Sequence, residues 1–189
     1  EEGWQEERRT QLIGSELYTL GEQCVRIKLR YSELHIMITW EFGVHLFLLA
    51  NHAEIRGKDS SGLLYGNEQE CKISRDFTSI TKLLSRIDDL KNAKYAFGHS
   101  RLITNGFEDN QPVFRDNISV IHNGIILNEN KLWDDIDIKR NQKIDTEIII
   151  GLLKDSLNKG LSIREGCENV LKKCESTISA AISLLEEKK

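Results

Sequence analysis

Apolar and polar positions change rhythm several times along this chain of 189 residues. From Cys24 to Arg30 they alternate strictly, with Val25, Ile27 and Leu29 against Arg26, Lys28 and Arg30, the period of a half-buried strand. Thr39 to Val44 reads as a second strand. From His45 to Ile55 the spacing turns helical, with Leu46, Leu49, Ala50 and Ala53 on one side. Arg56 to Gly62 is a loop by content. Leu63-Leu64-Tyr65 and Cys71-Lys72-Ile73 flank Gly66-Asn67, which predicts a β-hairpin. Asp76 is placed to cap a helix carrying Ile80, Leu83, Leu84, Ile87 and Leu90. Tyr95 to His99 reads as a buried strand. Val113-Phe114 and Ile118 to Ile121 flank Asp116-Asn117, a second hairpin signal. Asp145 is placed to cap a helix from Thr146 to Leu157, ending near Gly160, and Ser162 to cap the next one. Thr177 to Leu185 fits strand and helix equally. Strands that pair as hairpins and mix with helices predict antiparallel sheets flanked by helices rather than a doubly wound parallel sheet.

Composition narrows the function classes. The 26 Lys and Arg against 30 Asp and Glu leave a net charge of −4, so non-specific nucleic-acid binding lacks electrostatic support. Hydrophobic residues make up 39% of the chain, enough for a core. No apolar run approaches the ~20 residues that span a bilayer. The longest, Phe42 to Ala50, is interrupted by His45. The acidic start, Glu1-Glu2, has the wrong charge for a secretory signal, so a cytoplasmic protein without membrane partners is expected. Cysteines at 24, 71, 167 and 174 form no CxxC pair, and no histidine pair stands at ligand spacing, which argues against structural zinc. Cys167 and Cys174 on one helix would hold their sulfurs roughly 10 Å apart, too far for a disulfide. Pro112 is the sole proline and no Gly/Ser linker interrupts the chain, so a single domain is expected beyond the charged, irregular residues 1–37.

The candidate chemistry lies in short segments between residues 56 and 147. They are Arg56-Gly57-Lys58-Asp59-Ser60-Ser61-Gly62, Gly98-His99-Ser100-Arg101-Leu102-Ile103-Thr104-Asn105-Gly106, His122-Asn123-Gly124-Ile125-Ile126-Leu127-Asn128 and Asp145-Thr146-Glu147. In that order they resemble the motifs of the class II glutamine amidotransferases: Arg-Gly-x-Asp-Ser-x-Gly, Gly-His-Thr-Arg-x-x-Thr-x-Gly, His-Asn-Gly-x-x-x-Asn and Asp-Thr-Glu. The His-Asn-Gly and Asp-Thr-Glu pair is most similar to the glutaminase domain of the glucosamine-6-phosphate synthase branch. Gln111-Pro112 also resembles the amidophosphoribosyltransferase and asparagine synthetase branches. The likeness runs from about Gly43 to Leu157 and more loosely to Leu185.

The resemblance implies an α+β fold, the four-layer α-β-β-α sandwich of the N-terminal-nucleophile hydrolases with antiparallel sheets. It implies hydrolysis of the glutamine side-chain amide to glutamate and ammonia, for transfer to an acceptor held by another domain or subunit. Amide hydrolysis passes through an oxyanion, and each donor aimed at it is worth roughly 3–4 kcal/mol in comparable enzymes. The family's donors are the Asn side chain and the Gly backbone N–H, which match Asn123 and Gly124. The glutamine α-carboxylate suits a bidentate arginine, and Arg101 matches that residue. The α-ammonium suits a carboxylate, and Asp145 matches. Thr104, Asn105 and Gly106 match residues lining the glutamine pocket, and Arg56 matches an arginine shaping the site around the nucleophile. No metal or organic cofactor is implied, since a thiol, an amine and an oxyanion hole suffice for acyl transfer.

The family's nucleophile is a cysteine at the mature N-terminus whose own α-amine serves as base. This chain begins Glu1-Glu2. Thr39 stands where the cysteine would be if Phe42-Gly43-Val44 is aligned with the family start; Cys24 would be exposed by cleavage after Gln23. A third alternative is that the nucleophile is lost. Leu102 and Asn105 replace the usual Trp and His of the glucosamine-6-phosphate synthases. Residues 1–37 are accordingly expected to fall outside the family pattern, and 38–189 to form an amidotransferase-like domain incomplete at its C-terminus. The competing expectation is a pseudo-enzyme that binds glutamine or a partner without turnover.

Overall fold

The computed structural model describes residues 11–12, 15–20, 25–27, 38–55, 57–67, 70–102, 110–176 and 178–185, with side chains from His45 onward. The chain divides into two compact units, one formed by residues 31–113 and the other by residues 1–30 together with 114–189.

In the unit of residues 31–113, helix α1 (Ile38–Glu54) precedes strands β4 (Ser60–Gly66) and β5 (Cys71–Asp76). The short helix α2 (Ile80–Leu84), a 3-10 turn (Asp88–Asn92) and strand β6 (Tyr95–Arg101) follow. The sheet has the order β5-β4-β6, and both pairings are antiparallel. Gly66 faces Cys71 across the expected hairpin, whose turn is closed by the Asn67 N–H to the Glu70 carbonyl at 2.9 Å. The core joins Ala50 of α1, Leu63 and Tyr65 of β4, Ile80, Leu83 and Leu84 of α2, and Ala93. Burying a side chain such as Leu83 contributes about 1.5–3 kcal/mol.

Three expectations are corrected here. Thr39 to Val44 is the first part of α1, not a strand. Ile38, Thr39 and Val44 favour strands locally, but Phe42 extends the helical spacing of Leu46, Leu49 and Ala53 backward, and one continuous helix satisfies its backbone internally. The loop expected to run through Gly62 ends earlier, because Ser60, Ser61 and Gly62 are buried inside β4. Asp76 caps no helix. It ends β5, and its carboxylate accepts from the Phe77 N–H at 2.8 Å and from Arg86 at 2.6 Å. The helix itself stops at Leu84; Ile87 is the cap residue before the 3-10 segment and Leu90 lies within it.

The other unit is built on a six-stranded sheet. Its strands are β1 (Gln11–Leu12), β2 (Ser15–Leu20), β3 (Val25–Ile27), β7 (Val113–Arg115), β8 (Ile118–Asn123) and β9 (Ser179–Leu185). The order is β1-β2-β9-β8-β7, with β3 also on β2. The ambiguous C-terminal segment is therefore a strand: β9 lies between β8 and β2 and pairs antiparallel with both. The expected strand from Cys24 to Arg30 is seen as Val25–Ile27, and its remaining residues lie outside the described ones. β7 and β8 are joined by Asp116 and Asn117 at φ of 49° and 63°, the left-handed pair that a two-residue type I′ hairpin requires.

Helices α3 (Glu129–Asp134), α4 (Glu147–Asn158) and α5 (Ile163–Lys173) complete this unit. α4 packs against α3, α5 and β8, and every residue from Glu147 to Leu153 is buried. α5 starts on the expected cap, a reciprocal capping box in which the Ser162 hydroxyl accepts from the Glu165 N–H and the Glu165 carboxylate from the Ser162 N–H. Among the described residues no helix is long and apolar enough to cross a membrane.

Candidate functional site

Asn123 is the last residue of β8 and faces Ser179 of β9. Asn123 and Gly124 are both exposed. Gly124 has φ 145°, a conformation that a side chain would strain, so glycine is required where the strand turns into the loop. His122, one residue earlier, points inward and is 3% exposed. Burial pushes its imidazole below the ordinary histidine value, while the nearby Asp145 carboxylate acts in the opposite direction. His122 is consequently neutral at pH 7.

The expectation that Asp145 caps its own helix is not met. The cap position of α4 is Thr146, with helical dihedrals and no side-chain cap bond. The Asp145 carboxylate turns elsewhere and accepts the Ile126 backbone N–H at 2.9 Å. Asp145 and the Asn123-Gly124 pair, 21 or more residues apart in sequence, are thereby joined by a side-chain bond into one local structure. Cys174 is also close enough to feel this carboxylate; burial first, and then Asp145, push its thiol up to about 11. A thiol held in that state is protonated at neutral pH and is a poor nucleophile.

Glu147 of the same motif is fully buried and has a structural role. Its carboxylate accepts from the Asn141 N–H at 3.0 Å, the Gln142 N–H at 2.6 Å and Arg115 Nη1 at 3.1 Å. A buried carboxylate with this many donors is satisfied and fixes the loop leading into α4.

In the other unit, Arg101 ends β6 and is half-buried, opposite Ser60 of β4. Its carbonyl accepts from the Asp59 N–H at 3.2 Å, and the Ser100 hydroxyl donates to the Gly57 carbonyl at 2.7 Å. The segment at Gly57 lies directly on the β6 end, where a Cβ would collide with the backbone of Arg101 and Leu102. The first two motifs thus meet through close backbone contact and one side-chain hydroxyl. Arg56, Thr104, Asn105 and Gly106 lie outside the described residues, as does Cys24. Thr39 is in α1 and does not begin a strand as the family's nucleophile does.

Reasoning from sequence gave no role to His122, Asn128, Glu147 or Cys174. Asn128 and Glu147 stood within the motifs, but their partners are distant in sequence: the Asn128 carboxamide donates to the Lys173 carbonyl and accepts from the Glu175 N–H, each at 2.9 Å. Among the described residues no cluster of His, Cys, Asp and Glu is arranged to hold a metal ion.

No protein-family model matches the chain. The glutamine–fructose-6-phosphate aminotransferase (isomerizing) of Bacillus subtilis (strain 168) is 26% identical over 140 residues, covering 68% of this chain and 23% of that enzyme. The enzyme of the same name from Rhizobium leguminosarum bv. viciae is 32% identical over 136 residues, covering 68% and 22%. The chain carries a class II glutamine amidotransferase domain. Its fold agrees: the B. subtilis glutamine phosphoribosylpyrophosphate amidotransferase, solved with ADP and GMP, superposes with a TM-score of 0.55 at 20% identity over 89% of this chain and 34% of that one. The structure of the allosteric regulatory enzyme of purine biosynthesis superposes with a TM-score of 0.58 at 18% identity, over 89% and 35%. The fold is that of the N-terminal-nucleophile amidotransferases, α+β with antiparallel sheets, as expected from the motifs. This amidotransferase domain spans less than a quarter of the length of the curated relatives it matches.

Proposed function

We propose that the domain hydrolyses the side-chain amide of glutamine, releasing glutamate and passing ammonia to an acceptor bound by another domain or subunit. The observation that carries the reading is the bond from the Ile126 N–H to Asp145, which joins the His-Asn-Gly loop to the Asp-Thr-Glu turn in one place. The similarity to glutamine–fructose-6-phosphate aminotransferases supports the same chemistry and suggests a sugar-phosphate acceptor.

In this reading Arg101 holds the α-carboxylate of glutamine and Asp145 its α-ammonium. Thr104, Asn105 and Gly106 line the pocket, and Arg56 orders the surroundings of the nucleophile. In the family's chemistry a thiolate adds to the amide carbonyl, whose oxygen takes the negative charge; in this chain the nucleophile would be Cys24 exposed by cleavage or the Thr39 hydroxyl. The Asn123 carboxamide and the Gly124 N–H stabilise that oxyanion. Collapse of the intermediate breaks the C–N bond, and the nitrogen leaves as ammonia with the proton returned by the base. Water then hydrolyses the glutamyl thioester to glutamate. A neutral His122 adds no positive charge that would compete with the glutamine α-ammonium for Asp145.

The test is incubation of the full chain with glutamine while glutamate and ammonia are followed together, with asparagine as control and intact mass to locate the nucleophile. Equal amounts of glutamate and ammonia from glutamine alone, with a transient glutamyl adduct, support the proposal. If glutamine is neither consumed nor raises the melting temperature, the proposal fails.

A further inference from the structure

We propose that Asn128 is a positioning residue for the amide chemistry, tying the loop that begins at Gly124 to the connection between α5 and β9. This rests on the reading of Asn123 and Gly124 as the oxyanion donors.

The starting observation is what Asn128 does not do. It occupies the cap position of α3, where an asparagine ordinarily accepts a hydrogen bond from the first turn of its own helix. Here its side chain makes no cap bond. The carboxamide reaches instead to residues 45 and 47 positions later in the chain. Its Nδ2 donates to the Lys173 carbonyl and its Oδ1 accepts from the Glu175 N–H, both at 2.9 Å. Beside it the Leu127 N–H donates to the Glu175 carbonyl at 3.2 Å. The Lys173 carbonyl lies in the last turn of α5, where no intrahelical donor is left for it, so Asn128 satisfies a group that the helix end orphans.

Both functions of the carboxamide are used, one as donor and one as acceptor, which no other side chain of this length reproduces at neutral pH. The loop from Gly124 to Asn128 is therefore held at two points. Asp145 holds Ile126 from the start of α4, and Asn128 holds the far end against Lys173 and Glu175. Ile126 packs inward at 2% exposed, whereas Ile125 and Leu127 on either side of it are exposed at 61% and 78%, so beyond Ile126 it is the hydrogen bonds that fix the far end of the loop. An oxyanion donor displaced by about 1 Å loses up to about 100-fold in rate, so the far hold matters to chemistry it does not touch.

The experiment compares the full chain with Asn128→Ala and Asn128→Asp, reading glutamine kinetics and amide hydrogen exchange. For Asn128→Ala we expect kcat to fall by about 10- to 100-fold. KM should stay within about twofold, because the residue touches no substrate. The Leu127 and Glu175 amides should exchange faster while those of Ile149 to Leu153 in α4 stay protected. Asn128→Asp loses the donor when ionised and regains it when protonated. Its kcat relative to Asn128→Ala should therefore rise as pH is lowered toward the carboxyl range, which a purely structural role would not produce. Unchanged kcat with unchanged loop exchange overturns the proposal, as does loss of α4 protection together with activity. If the unmodified chain forms no glutamate, the proposed function fails and the catalytic role of Asn128 fails with it; exchange then decides only whether Asn128 holds the loop, faster exchange confined to the loop showing that it does and unchanged exchange that it does not.

Discussion

The two units position their motif residues by different means. In the unit of residues 31–113, the end of β6 and the segment before β4 meet mainly through backbone, with one serine hydroxyl added. Gly57 lies on Arg101 and Leu102, the Asp59 N–H reaches the Arg101 carbonyl, and Ser100 reaches the Gly57 carbonyl. In the other unit the loop after β8 is held by side chains from afar: Asp145 on Ile126, Asn128 on Lys173 and Glu175, and Glu147 on the loop before α4. Backbone contact demands a missing side chain, so the first arrangement is sensitive to added atoms. Side-chain bridging demands a particular functional group, so the second is sensitive to removed ones.

The largest effect on stability should follow from removing a bridge. Glu147→Ala leaves Arg115 and the Asn141 and Gln142 amides without their buried acceptor, and should cost about 3–5 kcal/mol in denaturant unfolding. A loss below about 1 kcal/mol, the value of an exposed pair, would break the contrast between the units. Next comes an added atom: Gly57→Ala should destabilise by about 1–3 kcal/mol, because the new methyl meets backbone that cannot turn aside. The same substitution accepted without loss would show that the Gly57 segment is not held against β6.

Smaller still is Ser100→Ala, which removes one donor from the buried Gly57 carbonyl and should cost about 1 kcal/mol. It sharpens the comparison, since a backbone-held contact should survive it. The last effect is one of slope. Burial lowers the His122 pKa in the folded state, so on acidification the unfolded chain takes up a proton near its ordinary value of about 6.5 while the folded chain does not. Stability from this group is therefore present above that pH and is lost as pH falls toward the folded value. Thermal unfolding from pH 7.5 down to 5 should show that decline in the unmodified chain and a flatter one in His122→Gln.

What could be read from sequence was local. The Asp116-Asn117 hairpin and the Ser162 cap are each complete within four residues and both formed as expected, the cap with Glu165 as its reciprocal partner. What could not be read was decided at a distance. β9 is a strand because β8 and β2 lie on either side of it, and nothing within residues 179–185 distinguishes that from a helix. Asp145 stood in a cap position by every local criterion, yet its carboxylate serves Ile126, 19 residues earlier. Asn128 likewise occupies a cap site and serves the far end of α5. At both places a long-range partner displaced the local one, and at both the residue belongs to the candidate site. The motif order identified the family because it needs only residue identities. The roles of residues within the motifs needed the fold.

The most direct measurement is glutamine turnover by the full chain and by Asn123→Ala, at saturating and at limiting glutamine. Asn123 is exposed at the end of β8, so its removal should leave the fold intact. The account predicts that kcat falls by about 100- to 1,000-fold while the unfolding transition is unchanged. Equal turnover by the two proteins, with the fold of both intact, would contradict it.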